Sequence, residues 1–268
     1  MTTIFGILNI TEDSFSDGGK FLEPGAAEAQ ARLLMERGAH ALDVGGASSN
    51  PSSKPVSPEV EIARLAPIVA LARRESWPIS IDSFAAQTQE WAATQGVAYI
   101  NDIAGFPHAQ VYSSLARLAA KLIVMHSVQE GPATRVDTSP ATIMERITAF
   151  FERRVRALTN AGIARERLIL DPGMGFFLGS DPEVSLTVLR RLPELKAAFG
   201  LPLFVSLSRK GFLRKMTSRT VAEIGPATLA AELFAVARGA DMIRTHDPGA
   251  LYDALLVQNR LNSGILGR

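Results

Sequence analysis

The sequence contains no cysteine, which removes structural disulfides, thiol nucleophiles and cysteine-rich zinc sites. Its 4 histidines are too few and too scattered to read as a preformed zinc cluster. Net charge is almost lacking as well: 28 Lys and Arg against 27 Asp and Glu leave +1, so nothing global attracts a nucleic acid. No apolar run approaches the ~20 residues that span a bilayer, and the opening MTTIFGILNITEDS has no basic leader. The expectation is a cytoplasmic protein with no nucleic-acid and no membrane partner. No nucleophile elbow accompanies the serines, and Asp17-Gly18-Gly19 and Gly45-Gly46 lack dinucleotide or Walker spacing.

What is present is 268 residues with 47% hydrophobic composition, enough for a large core and close to the length of one ordinary barrel. Short β-rich runs alternate with longer amphipathic segments. Strands are expected at Ile4 to Ile10, Ala39 to Val44, Pro78 to Asp82, Val97 to Asn101, Lys121 to His126, Arg167 to Asp171, Pro202 to Leu207 and Ala240 to Arg244. Ser57-Pro58 and Asp181-Pro182 each announce a helix, because the side-chain oxygen can cap a free N–H and proline fits the first turn. Ile143, Ile147, Phe151, Val155 and Leu158 recur at helical spacing. Helices are also expected from Pro24 to Arg37, to near Gln95, from about Ala109 to Ala119, from Pro226 to Arg238 and from about Ala250 to Asn262, with a glycine- and serine-containing loop after strand seven. Eight such units predict one α/β domain over residues 1–268, a single (β/α)8 TIM barrel. An open doubly wound sheet is the structural alternative.

Asn9, Asp43, Asp82, Asn101, Asp102, His126, Asp171, Ser208, Arg209, Lys210, Arg244 and His246 fall at or just beyond the strand ends, the chemical face of a barrel. Any one of them alone reads equally well as a helix cap or a satisfied surface group. Together they suit a polar heterocycle and an anion. Asp82, Asn101 and Asp171 offer acceptors and an amide to an N–H-rich ring, with Met125 and a phenylalanine near Phe176 for its faces. Ser208-Arg209-Lys210-Gly211 and Arg244-Thr245-His246 follow strands seven and eight, where barrels often hold phosphate.

The chain resembles the dihydropteroate synthase family along nearly its whole length. The matching segments are GILNITEDSFSDGG (6–19), ALDVGGASSNP (41–51), ISIDSF (79–84), YINDIAGFP (99–107), LIVMHS (122–127), LILDPGMGFF (168–177), SLSRKGF (206–212) and MIRTHD (242–247). The resemblance implies a transferase of folate biosynthesis, acting on 6-hydroxymethyl-7,8-dihydropterin diphosphate and p-aminobenzoate and releasing dihydropteroate and diphosphate. It implies a pterin pocket of Asp82, Asn101, Asp171 and Lys210, lined by Met125 and Phe176, and a diphosphate site at Arg244 and His246 near Ser208. It also implies Mg2+ at Asn9, a closing role for Asp13, Ser49 beside p-aminobenzoate, and a homodimer.

Several positions depart from the family pattern. Glu12 replaces a proline, Asn50 lacks an arginine counterpart, and the segment after Asp171 is longer around Phe177 and Gly179. These changes resemble the mobile, sulfonamide-resistant subgroup, in which the added phenylalanine and glycine narrow the p-aminobenzoate side, and they lead to an expectation of sulfonamide insensitivity. Two other readings remain open from the residues: a pterin-binding methyltransferase with a corrinoid partner, and an inactive binding barrel.

Overall fold

Strict alternation along short apolar strands organises this chain, and the computed structural model describes residues 2–11, 23–48, 54–128 and 137–263 of it. The strands are β1 (Thr3–Asn9), β2 (Ala41–Gly45), β3 (Ile79–Asp82), β4 (Tyr99–Asp102), β5 (Lys121–Met125), β6 (Leu168–Asp171), β7 (Phe204–Ser206) and β8 (Met242–Thr245). All ladders are parallel, in the order β6-β5-β4-β3-β2-β1-β8-β7. A bridge between Leu170 and Leu203, with Leu170 N–H donating to Pro202 O at 2.9 Å, brings the two ends together. The expected TIM barrel is therefore the fold, and the open sheet is not.

Side chains of period two divide the apolar residues into two cores. Phe5, Ala41, Ile123, Ile169, Phe204 and Met242 fill the barrel interior with Tyr99 against them. The Phe5 ring meets Tyr99 and Phe204 edge-on, with centroids 5.0 and 5.1 Å apart. The alternate residues, such as Ile4, Leu42, Ile81, Ile100, Leu122 and Leu170, pack outward under the helices. Because the floor of the barrel is closed by large rings, a ligand can enter only at the carboxyl ends of the strands.

The surrounding helices are α1 (Pro24–Glu36), α2 (Pro58–Arg74), α3 (Ala86–Thr94), α4 (Tyr112–Ala116), α5 (Ile143–Asn160), α6 (Pro182–Arg190), α7 (Leu192–Phe199), α8 (Gly211–Thr217), α9 (Gly225–Ala237) and α10 (Pro248–Ser263). Both expected caps form: Ser57 Oγ accepts from Val60 N, and Asp181 accepts from Glu183 N at 2.9 Å. Three elements differ from the sequence expectation. The helix after β6 breaks at Arg191, since Pro193 has no N–H to continue the ladder. The segment from Ala109 begins as a 3-10 turn and ends its α-helix at Ala116. The loop after β7 contains α8, whose buried Phe212 and Leu213 form too short an apolar pattern to reveal a period. No helix among the described residues is long and apolar enough to cross a membrane.

Helix α9 carries an acid into the core. Burial lifts the Glu232 pKa from 4.5 to about 8, although Thr245 hydrogen-bonds it, and its Oε1 has no partner among the described residues. A folded-state pKa raised above the unfolded value means that the group's stabilising contribution is full below 4.5 and declines as pH rises through about 8. The melting temperature of Glu232→Gln relative to the parent is therefore expected to climb between pH 4.5 and 8. A difference that stays constant across that range would contradict a protonated buried acid.

Candidate active site

One level above the aromatic floor, the inward positions turn polar. Registers set Asp43 opposite Ile7 and Ser80, Gly45 opposite Asp82, Asp82 opposite Asn101, Met125 opposite Asp171, and Ser206 opposite Arg244. The barrel thereby gathers Asp43, Asp82, Asn101, Asp171 and Arg244 from five different strands. Asp43, Asn101 and Asp171 are buried.

Arg244 spans this layer. Its Nε donates to Asp43 Oδ2, and its other arm donates to Asp82 Oδ2 at 2.9 Å. A guanidinium has five N–H donors, so this fork can hold two carboxylates and still offer N–H groups to a third anion. Burial raises the Asp82 pKa; Arg244 offsets part of the effect and the Asp43 charge adds to it. Asp43 was noted in the sequence only as one strand-end acid, and the fork makes it part of the site. The available signal was its place as the sole charge inside the apolar strand ALDVG.

Asp171 ends β6 and accepts from Gly173 N at 2.8 Å. The loop beyond it lies along the tail of β5: His126 N donates to Asp171 O, the His126 ring meets Pro172 O at 3.1 Å, and Val128 N donates to Phe177 O. Gly173 is required there, because it sits at φ 73° and a Cβ would come within 2.3 Å of His126 O. Thr138 Oγ1 holds Leu178 O from the other side. This bracing brings the Phe177 ring over Lys210, with Nζ 5.0 Å from its centroid. Phe176, expected as lining, is 39% exposed, with its ring edge-on to that of Phe177. Gly179, at φ 120°, packs against Asp137 and Thr138.

His246 meets Ser208 twice, through its backbone N at 3.1 Å and its ring Nδ1 at 2.9 Å. Burial, helped by Arg209, Arg244 and Lys210, holds its pKa well below the usual value, so the ring is neutral at pH 7. In the empty site it presents a hydrogen bond and not a charge. Parity also removes two strand-end residues from the site. Asp102 points outward to Gln89 Nε2 and the Ala104 and Phe106 N–H groups, and His126 packs edge-on against Phe150.

Asn9 stands at the rim, its Oδ1 3.5 Å from where a Cβ on Gly45 would lie. The expectation of magnesium at Asn9 is corrected. Among the described residues no group of three or more His, Cys, Asp or Glu side chains converges on a metal position, and the nearby carboxylates Asp43 and Asp82 already serve Arg244. A cation held by protein side chains alone needs several free oxygens, which the described residues around Asn9 do not provide. Asp13, Ser49 and Asn50 lie outside the described residues.

The electrostatics predict a bell-shaped rate profile. Burial pushes Asp171 up to about 6, against the pull of Gly173 N–H and Lys210. Burial and then Arg244 push Lys210 down to about 8, while Asp171 and Asp82 hold it up. Below the first value the acceptor is lost, and above the second the donor is lost. Limbs near pH 6 and 8 are expected in kcat/KM for the ring-bearing substrate. A profile flat from pH 5 to 9 would reject this pair.

The family described as pterin binding enzyme matches residues 5–246. An Escherichia coli dihydropteroate synthase type-2 is 57% identical over 254 residues, covering 95% of this chain and 94% of that protein. The Xanthomonas albilineans dihydropteroate synthase solved with 4-aminobenzoic acid is 32% identical with a TM-score of 0.87, covering 97% of this chain and 93% of that one. The Yersinia pestis dihydropteroate synthase solved as a sulfonamide drug complex is 30% identical with a TM-score of 0.89, covering 98% and 94%. These findings correct the expectation of sulfonamide insensitivity. The likeness is to type-2 synthases, and a barrel of the same shape accommodates a sulfonamide.

Proposed function

The chain belongs to the dihydropteroate synthase family of pterin-binding enzymes, and from that premise we propose that it joins 6-hydroxymethyl-7,8-dihydropterin diphosphate to p-aminobenzoate, giving 7,8-dihydropteroate and diphosphate. The observation that carries the reading is the acceptor set of buried Asn101 and Asp171 and partly buried Asp82 beside Lys210 and the Arg244 fork. Asp171 and Asn101 take the N–H edge of the pterin, Lys210 its carbonyl and ring nitrogen, and Met125 a face. Arg244, Ser208 and the neutral His246 ring receive the diphosphate, with Asn9 at the rim. Phe177 bounds the p-aminobenzoate side.

In this reaction the methylene C–O bond breaks as donors aimed at the leaving oxygens meet the developing charge. The electron-rich dihydropterin supports the positive methylene. The neutral arylamine nitrogen then forms the C–N bond and releases its proton to solvent, so neither a covalent enzyme intermediate nor a strong base is needed. The whole chain, residues 1–268, is read as this one unit. The homodimer rests on resemblance.

The test is turnover: purified protein supplied with both substrates should form dihydropteroate and diphosphate in equal amounts, and neither when p-aminobenzoate is omitted. Folded protein that binds the pterin diphosphate but makes no product would favour an inactive binding barrel. Consumption of methyltetrahydrofolate with a corrinoid partner would favour the methyltransferase.

A further inference from the structure

Asp43 is fully buried and both of its oxygens are engaged: Oδ2 receives Arg244 Nε, and Oδ1 receives Asn101 Nδ2 at 3.5 Å. Asn101 is itself 3% exposed, and its Oδ1 has no partner among the described residues. We propose that Asp43 is a positioning residue that fixes which end of the Asn101 amide faces the substrate. The substrate named here rests on the synthase reading; the geometry does not.

The argument is one of donor and acceptor parity. An asparagine amide is nearly symmetric in shape, with two donors on one end and an acceptor on the other, and its terminal torsion has two comparable wells. A carboxylate can only accept, so Asp43 selects the well in which Asn101 Nδ2 faces it. Asn101 Oδ1 is then the end left without a partner among the described residues, and a ligand N–H can satisfy it. Arg244 Nε occupies Asp43 Oδ2 as a donor, which leaves Asp43 Oδ1 as the oxygen that meets Asn101. The same carboxylate thus aligns the cationic fork through one oxygen and the neutral amide through the other.

Asp43→Asn preserves volume and inverts this logic. The new amide must turn its oxygen to Arg244 Nε, which leaves its N–H groups facing residue 101. Asn101 then rotates to accept, and its own N–H groups meet the pterin donors. Binding of 6-hydroxymethyl-7,8-dihydropterin diphosphate, read by calorimetry, is expected to weaken roughly tenfold to a hundredfold, with the KM for p-aminobenzoate unchanged. Exchanging the groups, Asp43→Asn with Asn101→Asp, restores an acceptor toward both Arg244 and the ligand. This double variant is expected to recover most of the loss.

Parent-like affinity in Asp43→Asn would overturn the inference, and so would equal weakness in the single and double variants, which would mean that the charge at 43 matters and not the amide. If the single variant does not fold, the exchanged pair is compared with Asn101→Ala; binding no tighter than in that truncation overturns the proposal. A parent protein that binds the pterin diphosphate without turnover sinks the synthase reading alone, because the binding comparison still decides the role of Asp43.

Discussion

Replacing Asp171 with asparagine is expected to lower kcat/KM for the pterin substrate by roughly a hundredfold or more, while raising the melting temperature at neutral pH. Both effects have one cause. The carboxylate is buried, and its tie to the protein's own backbone is the Gly173 N–H, a bond that an asparagine oxygen can keep. Its remaining acceptor capacity is stored for a ligand. Asparagine would set N–H groups against the N–H edge of the pterin, so two donors would meet without an acceptor between them.

The stability effect follows from linkage. Burial raises the Asp171 pKa from 3.8 to about 6, so its favourable contribution is complete below 3.8 and is lost as pH rises through about 6. At pH 7.5 the buried charge costs on the order of 1–3 kcal/mol in the empty protein, a cost that asparagine does not carry. Thermal melts at pH 4 and 7.5 should show the variant gaining on the parent as pH rises, while calorimetry shows the pterin affinity lost. A variant that binds normally removes Asp171 from the site. One that destabilises equally at both pH values shows a structural role instead.

Arg244→Ala should do harm in both respects. Its guanidinium is shared by Asp43 and Asp82, and removing it leaves two carboxylates together with no paired cation, only the unbonded charge of Lys210 acting on Asp82. Breaking a buried ion pair from one side typically costs about 3–5 kcal/mol; the partial exposure of Asp82, whose side chain is 20% accessible, points to the lower end. The loss is expected to shrink as pH falls, because burial and the Asp43 charge already raise the Asp82 pKa and the missing Arg244 raises it further. Ligand binding should separate as well. Affinity for the pterin diphosphate falls further than affinity for the same pterin without diphosphate, since the forked donors match phosphate oxygens. Arg244→Lys would supply the charge but not the fork, and is expected to restore stability better than diphosphate affinity. Equal losses for the two ligands would reject this division of labour.

The fold was largely legible because its signals are local. Apolar runs of strand length, Ser57-Pro58 and Asp181-Pro182 as helix starts, and the α5 stripe from Ile143 to Leu158 all lie within a few residues of the structure they specify. Strand-end polarity marked the candidate face for the same reason. Where the signal is short or interrupted the expectation slipped, as at α8 and at the break before α7. Parity was readable too, since Asn101 facing in obliges Asp102 to face out, yet a one-residue uncertainty in a strand's end hides it.

By itself, then, the sequence determined eight alternating units, the face that carries chemistry, and the residue types available for a ring and an anion. Closure of the barrel decided which of them act together. Asp43 and Arg244 are 201 residues apart in the chain, and Asp82 and Arg244 are 162 apart; they meet because β8 pairs with β1 and the parallel registers bring inward side chains from different strands to one level. The pKa values of Asp171, Lys210 and His246 likewise come from burial against neighbours on other strands. No local pattern encodes those distances, because a hydrogen bond depends on ångström-scale placement that only the assembled sheet and its packed helices establish.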